Sequence, residues 1–113
     1  MRITFYETAG GRRPVEEYLR SLERPERARA AEGLQNIQRF GFEAVGVQFR
    51  QIRGKLWEIR IQTGEAHRFF YVMASREEMV LLHAYRKKTQ KAPSREIATA
   101  ERRLKEVLHG AED

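Results

Sequence analysis

Apolar spacing near the start of the chain predicts one short strand followed by two helices. Ile3 and Phe5 alternate with polar neighbours, as in a strand, and a Gly-Gly pair then interrupts the pattern. Pro14 suits the first position of a helix, and Pro25 opens a longer one that Gly41 is placed to cap. Helical spacing puts these apolar residues on two stripes: Val15, Tyr18, Leu19 and Leu22, then Ala30, Leu34, Ile37 and Phe40.

The second half of the chain changes to the two-residue period of strands. Residues 55–62 alternate, Thr63 to Glu65 predict a tight turn, and two further apolar runs follow, 69–72 and 79–85. Before them, residues 42–54 lose the pattern and predict a loop or an irregular strand. Ser94 is a plausible N-cap for a closing helix. Its apolar stripe comprises Ile97, Ala100, Leu104, Val107 and Leu108.

These elements predict a single α+β domain over residues 1–113, in the order β-α-α-β-β-β-α. Sequential hairpins make a mostly antiparallel sheet, here of four strands, and consecutive helices pack as a layer on one of its faces. The C-terminal helix completes the fold. We expect the other face of the sheet to be free for side chains that the core does not need.

The turn after the first long strand decides where two arginines point. With a three-residue loop, Arg60 pairs with Arg68 and both guanidinium groups lie on the same face; a two-residue loop places Arg60 opposite His67 instead. The first register keeps the apolar side chains of both strands together. Like charges directly opposite each other destabilise a sheet unless an anion neutralises them, so this register predicts an anion-binding face.

Charge points to a polyanionic partner. Residues 86–105 carry eight Lys or Arg against two Glu, which accounts for the whole formal net charge of +6. The chain has no cysteine, which excludes disulfides and thiolate chemistry. It has no run as apolar as a membrane span and no leader-like start, so we expect a cytoplasmic protein that does not contact membranes.

Several enzyme classes are disfavoured by the motifs that are missing. The sequence has no Gly-rich phosphate loop, no HExxH and no EF-hand cluster, and its three histidines are scattered at positions 67, 83 and 109. We therefore expect neither a metal site nor a cofactor.

Two segments resemble a known protein family. LWEIRIQTGEAHRFFYV and LLHAYRKKTQKAPSREIATAERRL are similar to the RelE/ParE superfamily of bacterial toxins, closest to its HigB-like, phage-derived branch. The resemblance extends over residues 2–108. It implies the toxin of a type II toxin–antitoxin pair, most often an endoribonuclease that cuts mRNA on the ribosome without a metal. It also implies a cognate antitoxin protein, of helix-turn-helix type, as a partner.

The resemblance assigns roles to several basic residues. Arg60 and Arg68 match strand positions that stabilise charge at the scissile phosphate, and Lys87 and Lys88 match a basic pair after the last strand. For proton transfer His83 is the first choice, because its pKa range suits an acid or a base. Glu58, His67 and Tyr85 are the other candidates. Further basic residues expected to contact RNA are Arg50, Arg53, Lys55, Arg86 and Lys91.

Each residue also has a simpler interpretation. His83 fits a packed histidine equally well, Tyr85 a core aromatic, and Arg60 a surface ion pair worth under about 1 kcal/mol. Lysines after a strand often only discourage aggregation. Two other functions stay open: a ParE-like gyrase poison acting by protein contact, and a non-toxic basic nucleic-acid-binding module of phage origin. Oligomeric state and codon preference are not predicted.

Overall fold

The computed structural model describes residues 1–61, 67–88 and 93–110. They form five strands, three α-helices and one short 3₁₀ turn. In chain order the elements are β1 (Arg2–Phe5), α1 (Pro14–Ser21), α2 (Arg24–Phe40), the turn (Gly41–Glu43), β2 (Val47–Arg53), β3 (Leu56–Ile61), β4 (His67–Ser75), β5 (Glu78–Arg86) and α3 (Ser94–His109).

The sheet has five strands in the order β1-β5-β4-β3-β2 and is mixed. The α+β class is confirmed, but the predicted four-stranded antiparallel sheet is wrong on two points. β1 pairs parallel with β5. The two helices separate β1 from the later strands along the chain, and β5, the last of these strands, lies beside β1. β2 makes the sheet five-stranded; it lies in the stretch for which a loop or an irregular strand was predicted, and its register with β3 shifts between Gln51 and Arg53. As an edge strand it needs few buried residues, which weakens its apolar pattern.

Helix boundaries follow the local signals closely. Pro14 is the first residue of α1, and Gly41 ends α2 with a φ of +62°, a conformation that favours glycine. Two predictions were wrong. Phe40 does not extend the buried stripe, since it is 57% exposed, and Ser94 is the first residue of α3 while Pro93 occupies the N-cap position.

Both faces of the sheet are covered, so the expectation of one open face is wrong. On the first face, here called the helix-pair face, α1 and α2 pack on Ile59, Phe69 and Leu81. On the other, the α3 face, α3 buries Phe70 and Leu82. The closing helix carries an amphipathic stripe that must be buried, and the helix-pair face is already occupied. Only the part of the α3 face beyond this helix remains accessible.

An irregularity between β4 and β5 sets the orientation of His83. Phe70 pairs with His83 and Tyr71 pairs with Leu81, which leaves Leu82 as the extra residue of a bulge. Leu82 is fully buried in the α3 cluster, and His83 stacks on Phe70 with ring centroids 6.4 Å apart. Because of the bulge, both consecutive side chains face α3.

Gly33 lets α2 approach the sheet. A Cβ atom at this position would lie 2.8 to 3.0 Å from three carbons of Ile61. Gly33→Ala should therefore destabilise the protein by about 1–3 kcal/mol, although alanine is the better helix former by about 1 kcal/mol. Denaturant unfolding measures the change.

Ile61→Ala provides the matched test of this contact. Alone it should cost about 2–5 kcal/mol by leaving a cavity, but together with Gly33→Ala the new methyl group fills part of that cavity. The double variant should therefore lose less free energy of unfolding than the sum of the two single losses. Additive losses, or a stabilised Gly33→Ala protein, would show that the contact is unimportant.

Candidate nucleic-acid interface

Two rows of mainly polar side chains cross the α3 face. Cross-strand pairing aligns the first row as Gln48, Arg60, Arg68 and Tyr85, and the second as Arg50, Glu58, Phe70 and His83. Arg60 lies directly opposite Arg68, as the three-residue-loop register predicts. The predicted turn, Thr63 to Glu65, lies outside the described residues. The pairing of the two arginines nevertheless places their side chains on the same face.

Glu58 is the centre of this face. It is 5% exposed, and its Oε2 accepts a hydrogen bond from the Tyr85 hydroxyl at 3.1 Å. Its Oε1 lies 3.7 Å from Arg68 Nε and 3.9 Å from Arg50 Nη2. Burial, followed by the charge of Glu58, raises the pKa of Tyr85, so its hydroxyl remains a hydrogen-bond donor at neutral pH.

The two opposed arginines have different surroundings. Arg68 is 7% exposed, pairs with Glu58 and donates to the carbonyl oxygen of His67 at 3.3 Å. Arg60 is exposed, and within the described part of the chain no carboxylate pairs with it. Among the described residues, Glu58 is therefore the one carboxylate paired with Arg50 and Arg68, and Arg60 adds a further positive charge beside them. The excess positive charge suits an anion that two guanidinium groups can bind together, such as a phosphate group.

Lys87 and Lys88 follow the end of β5 at this same end of the sheet. Lys87 comes two residues after Tyr85, and Lys88 is exposed. The two lysines are therefore two and three residues along the chain from Tyr85, which belongs to the Arg60–Arg68 row. Lys91, also expected to contact RNA, lies outside the described residues.

The remaining predicted RNA contacts do not join this group. Lys55 is in the β2–β3 turn, about 17 Å along β3 from Arg60. Arg53 is near that turn and pairs with Glu101 of α3 at 2.6 Å. Arg86 pairs with His67 across the strands and donates to Glu26 at 3.3 Å, so it belongs to the helix-pair face.

His83 is held by α3 on both ring nitrogens. Arg103 Nη1 donates to its Nδ1 at 3.1 Å, which places the ring proton on Nε2, where it is donated to Glu96 at 2.8 Å. Arg103 also donates to the carbonyl oxygen of Leu82 at 2.9 Å. This environment matches the packed-histidine interpretation. His83 could pass a proton to or from RNA only by breaking one of these two hydrogen bonds.

His67 lies on the opposite face and is fully buried. Its Nδ1 hydrogen-bonds to the Tyr18 hydroxyl and its Nε2 lies 3.1 Å from Glu26. These contacts connect α1 and α2 to β4. They hold the His67 ring on the face opposite to the side chains of Arg60 and Arg68.

Two contributions were missed by sequence reasoning. Arg103 was not among the candidate residues, yet it is part-buried and anchors α3 to the β5 bulge. The Tyr85–Glu58 hydrogen bond was also missed, although both residues were candidates. These partners are 20 and 27 residues apart, and no local pattern reports such contacts.

No group of three metal-binding side chains occurs among residues 1–61, 67–88 and 93–110. In the same ranges, no helix is long and apolar enough to cross a membrane.

Fold and site together define a small α+β protein with a cationic sheet face. Residues 17–105 match the model of the family described as phage-derived protein Gp49-like (DUF891), and the chain belongs to this family. It is a family of RelE-like toxins, which agrees with the superfamily resemblance. Comparison with curated proteins gives no match.

The buried hydrogen bond at the centre of the site can be tested with Tyr85→Phe. Removing the hydroxyl deprives Glu58 of its one short hydrogen bond among the described residues, so the variant should lose about 1.5–3 kcal/mol of stability. Thermal and denaturant unfolding measure this loss.

Tyr71→Phe is the matched control. Tyr71 is equally buried, and burial alone raises its pKa to about 12. Its hydroxyl donates to no group in the described ranges, so we expect a change within about 0.5 kcal/mol. Equal losses in the two variants would show that the Glu58 hydrogen bond contributes nothing specific.

Proposed function

We propose that this protein is the toxin of a type II toxin–antitoxin pair and cleaves mRNA on the ribosome without a metal. Its membership of a RelE-like toxin family supports the toxin role. The cationic α3 face supports the nuclease role. We also propose that it belongs to the HigB-like branch of the superfamily, on the motifs of β3, β4 and the segment after β5.

The observation that carries the proposal is the Arg60–Arg68 pair. Two guanidinium groups opposite each other repel, and Glu58 compensates only the buried one. A phosphate group bound between them would remove this repulsion. The phosphate oxygens would accept paired hydrogen bonds from both guanidinium groups, which the two neighbouring strands already hold in position.

Metal-free cleavage uses the RNA's own 2′-hydroxyl. A base takes the 2′ proton, the O2′–P bond forms, the P–O5′ bond breaks, and O5′ accepts a proton. The products are a 2′,3′-cyclic phosphate and a 5′-hydroxyl. In our proposal Arg60 and Arg68 stabilise the negative charge that develops on the phosphate oxygens.

For the base we propose Glu58 instead of His83. Glu58 is adjacent to both arginines and is held by Tyr85, whereas His83 lies two strands away from β3, about 10 Å, and is bonded to α3. Tyr85 keeps its own proton and orients the carboxylate. Lys87, two residues after Tyr85, is proposed to protonate O5′.

Arg60→Ala is the sharpest test, because Arg60 is exposed and its loss leaves the core intact. We expect induced expression of the unchanged protein to stop bacterial growth and to produce cuts within translated codons, detected by primer extension. Arg60→Ala should reduce cleavage about 100-fold or more at an unchanged melting temperature. Arg68→Ala should do the same, with its folding checked because Arg68 is buried.

The matched control is Arg27→Ala, which removes an exposed arginine from α2. It should remain fully toxic. The proposal would be contradicted if Arg60→Ala stayed fully toxic, produced no mRNA cuts and reduced DNA supercoiling. These results would favour a gyrase poison. A wild-type protein that does not affect growth would leave only nucleic-acid binding.

A further inference from the structure

The free edge of β2 combines two different surfaces. β2 is the last strand of the sheet order, so the backbone groups on its outer side have no strand to pair with among the described residues. Val47 and Phe49 point to the helix-pair face, while Gln48 and Arg50 point to the α3 face. Any strand added at this edge would meet both surfaces with alternate side chains.

The helix-pair side of this edge is an apolar groove. It measures ≈ 360 Å³ and lies beyond the end of α2; it is lined by Phe42, Phe49, Trp57, Tyr71 and Met73. Phe42 is 52% exposed and packs edge-on against Phe49, with ring centroids 5.0 Å apart. Val45, just before β2, is 84% exposed. Such a grouping of exposed large apolar residues is unusual for a surface without a partner.

The α3 side of the same edge is cationic. The Arg50 side chain is 61% exposed, and its only carboxylate contact in the described ranges is the 3.9 Å approach to Glu58, a residue that also serves Arg68. A carboxylate on an added strand, directly opposite Arg50, could pair with it at closer range.

We propose that β2 is a docking site for an extended segment of another protein in which apolar and acidic residues alternate. Apolar side chains of this segment enter the Phe42–Phe49 groove, acidic side chains pair with Arg50, and main-chain hydrogen bonds extend the sheet. The proposal does not depend on whether the chain cleaves RNA.

Charge selects this occupant over a second copy of the chain. Antiparallel pairing of two β2 strands around a two-fold axis would bring the arginines of one copy towards those of the other, and each copy carries a formal net charge of +6. An acidic segment is attracted by the same charges, which also speeds its association.

The test uses a labelled peptide of about seven residues, the length of β2, in which valine and glutamate alternate. Binding to the full chain is followed by fluorescence anisotropy without RNA, so its outcome is independent of the nuclease proposal. We expect saturable binding that is abolished by N-methylation of alternate peptide nitrogens. A scrambled peptide of equal composition should bind at least about 10-fold more weakly.

Protein variants then separate the two surfaces. Arg50→Glu should weaken the glutamate peptide about 10-fold and favour a version with lysine in place of glutamate, and Phe42→Ser should weaken both peptides. Arg27→Glu makes the same charge change on α2 and should have no effect.

Three results would overturn the proposal. These are equal binding of N-methylated and unmodified peptides, an unchanged affinity in both Arg50→Glu and Phe42→Ser, and a concentration-dependent dimer of the chain alone that Phe42→Ser dissolves. The last result would assign the edge to a second copy.

Discussion

The pairing of β3 with β4 sets two positively charged side chains against each other, and the chemistry of the α3 face follows from that constraint. An arginine pair at a cross-strand position is unfavourable in an ordinary sheet. Here one member is buried beside Glu58, and the other is exposed, with no carboxylate paired to it in the part of the chain that the structure describes. In our proposal this face binds an anion, because the anion would remove the repulsion between the two arginines.

The helices on the two faces of the sheet have different roles. On the helix-pair face, α1 and α2 cover the larger core, and the buried contacts of His67 with Tyr18 and Glu26 connect the layers. On the other face, α3 covers Phe70 and Leu82, while Arg60 is exposed. Arg103 and Glu96 hold α3 on the β5 bulge through His83. We therefore regard His83 as a residue that positions α3 and takes no part in the proposed chemistry.

The cationic face reaches the edge of the sheet at β2. Arg50 belongs both to the second polar row and to the exposed edge of β2, so one side chain contributes to two surfaces. An acidic segment on β2 and RNA on the α3 face, both as proposed, would compete for that charge. Such competition is a direct physical route by which a bound protein segment inhibits a cationic site.

By itself, the sequence determined what depends on local spacing. The two-residue and helical periods predicted the α+β class, β1, β3 to β5 and all three helices, and Pro14 and Gly41 marked helix ends correctly. The apolar alternation also predicted that Arg60 faces Arg68. These results follow because periodicity and capping act between residues a few positions apart.

Tertiary structure decided the rest. The parallel position of β1, the strand character of β2 and the cover of α3 on the second face depend on which surfaces remain when other elements have packed. The Glu58–Tyr85 hydrogen bond and the capture of His83 by Arg103 join residues far apart in the chain. A bulge of one residue turned His83 towards α3. Such choices are made by packing, which no local pattern records.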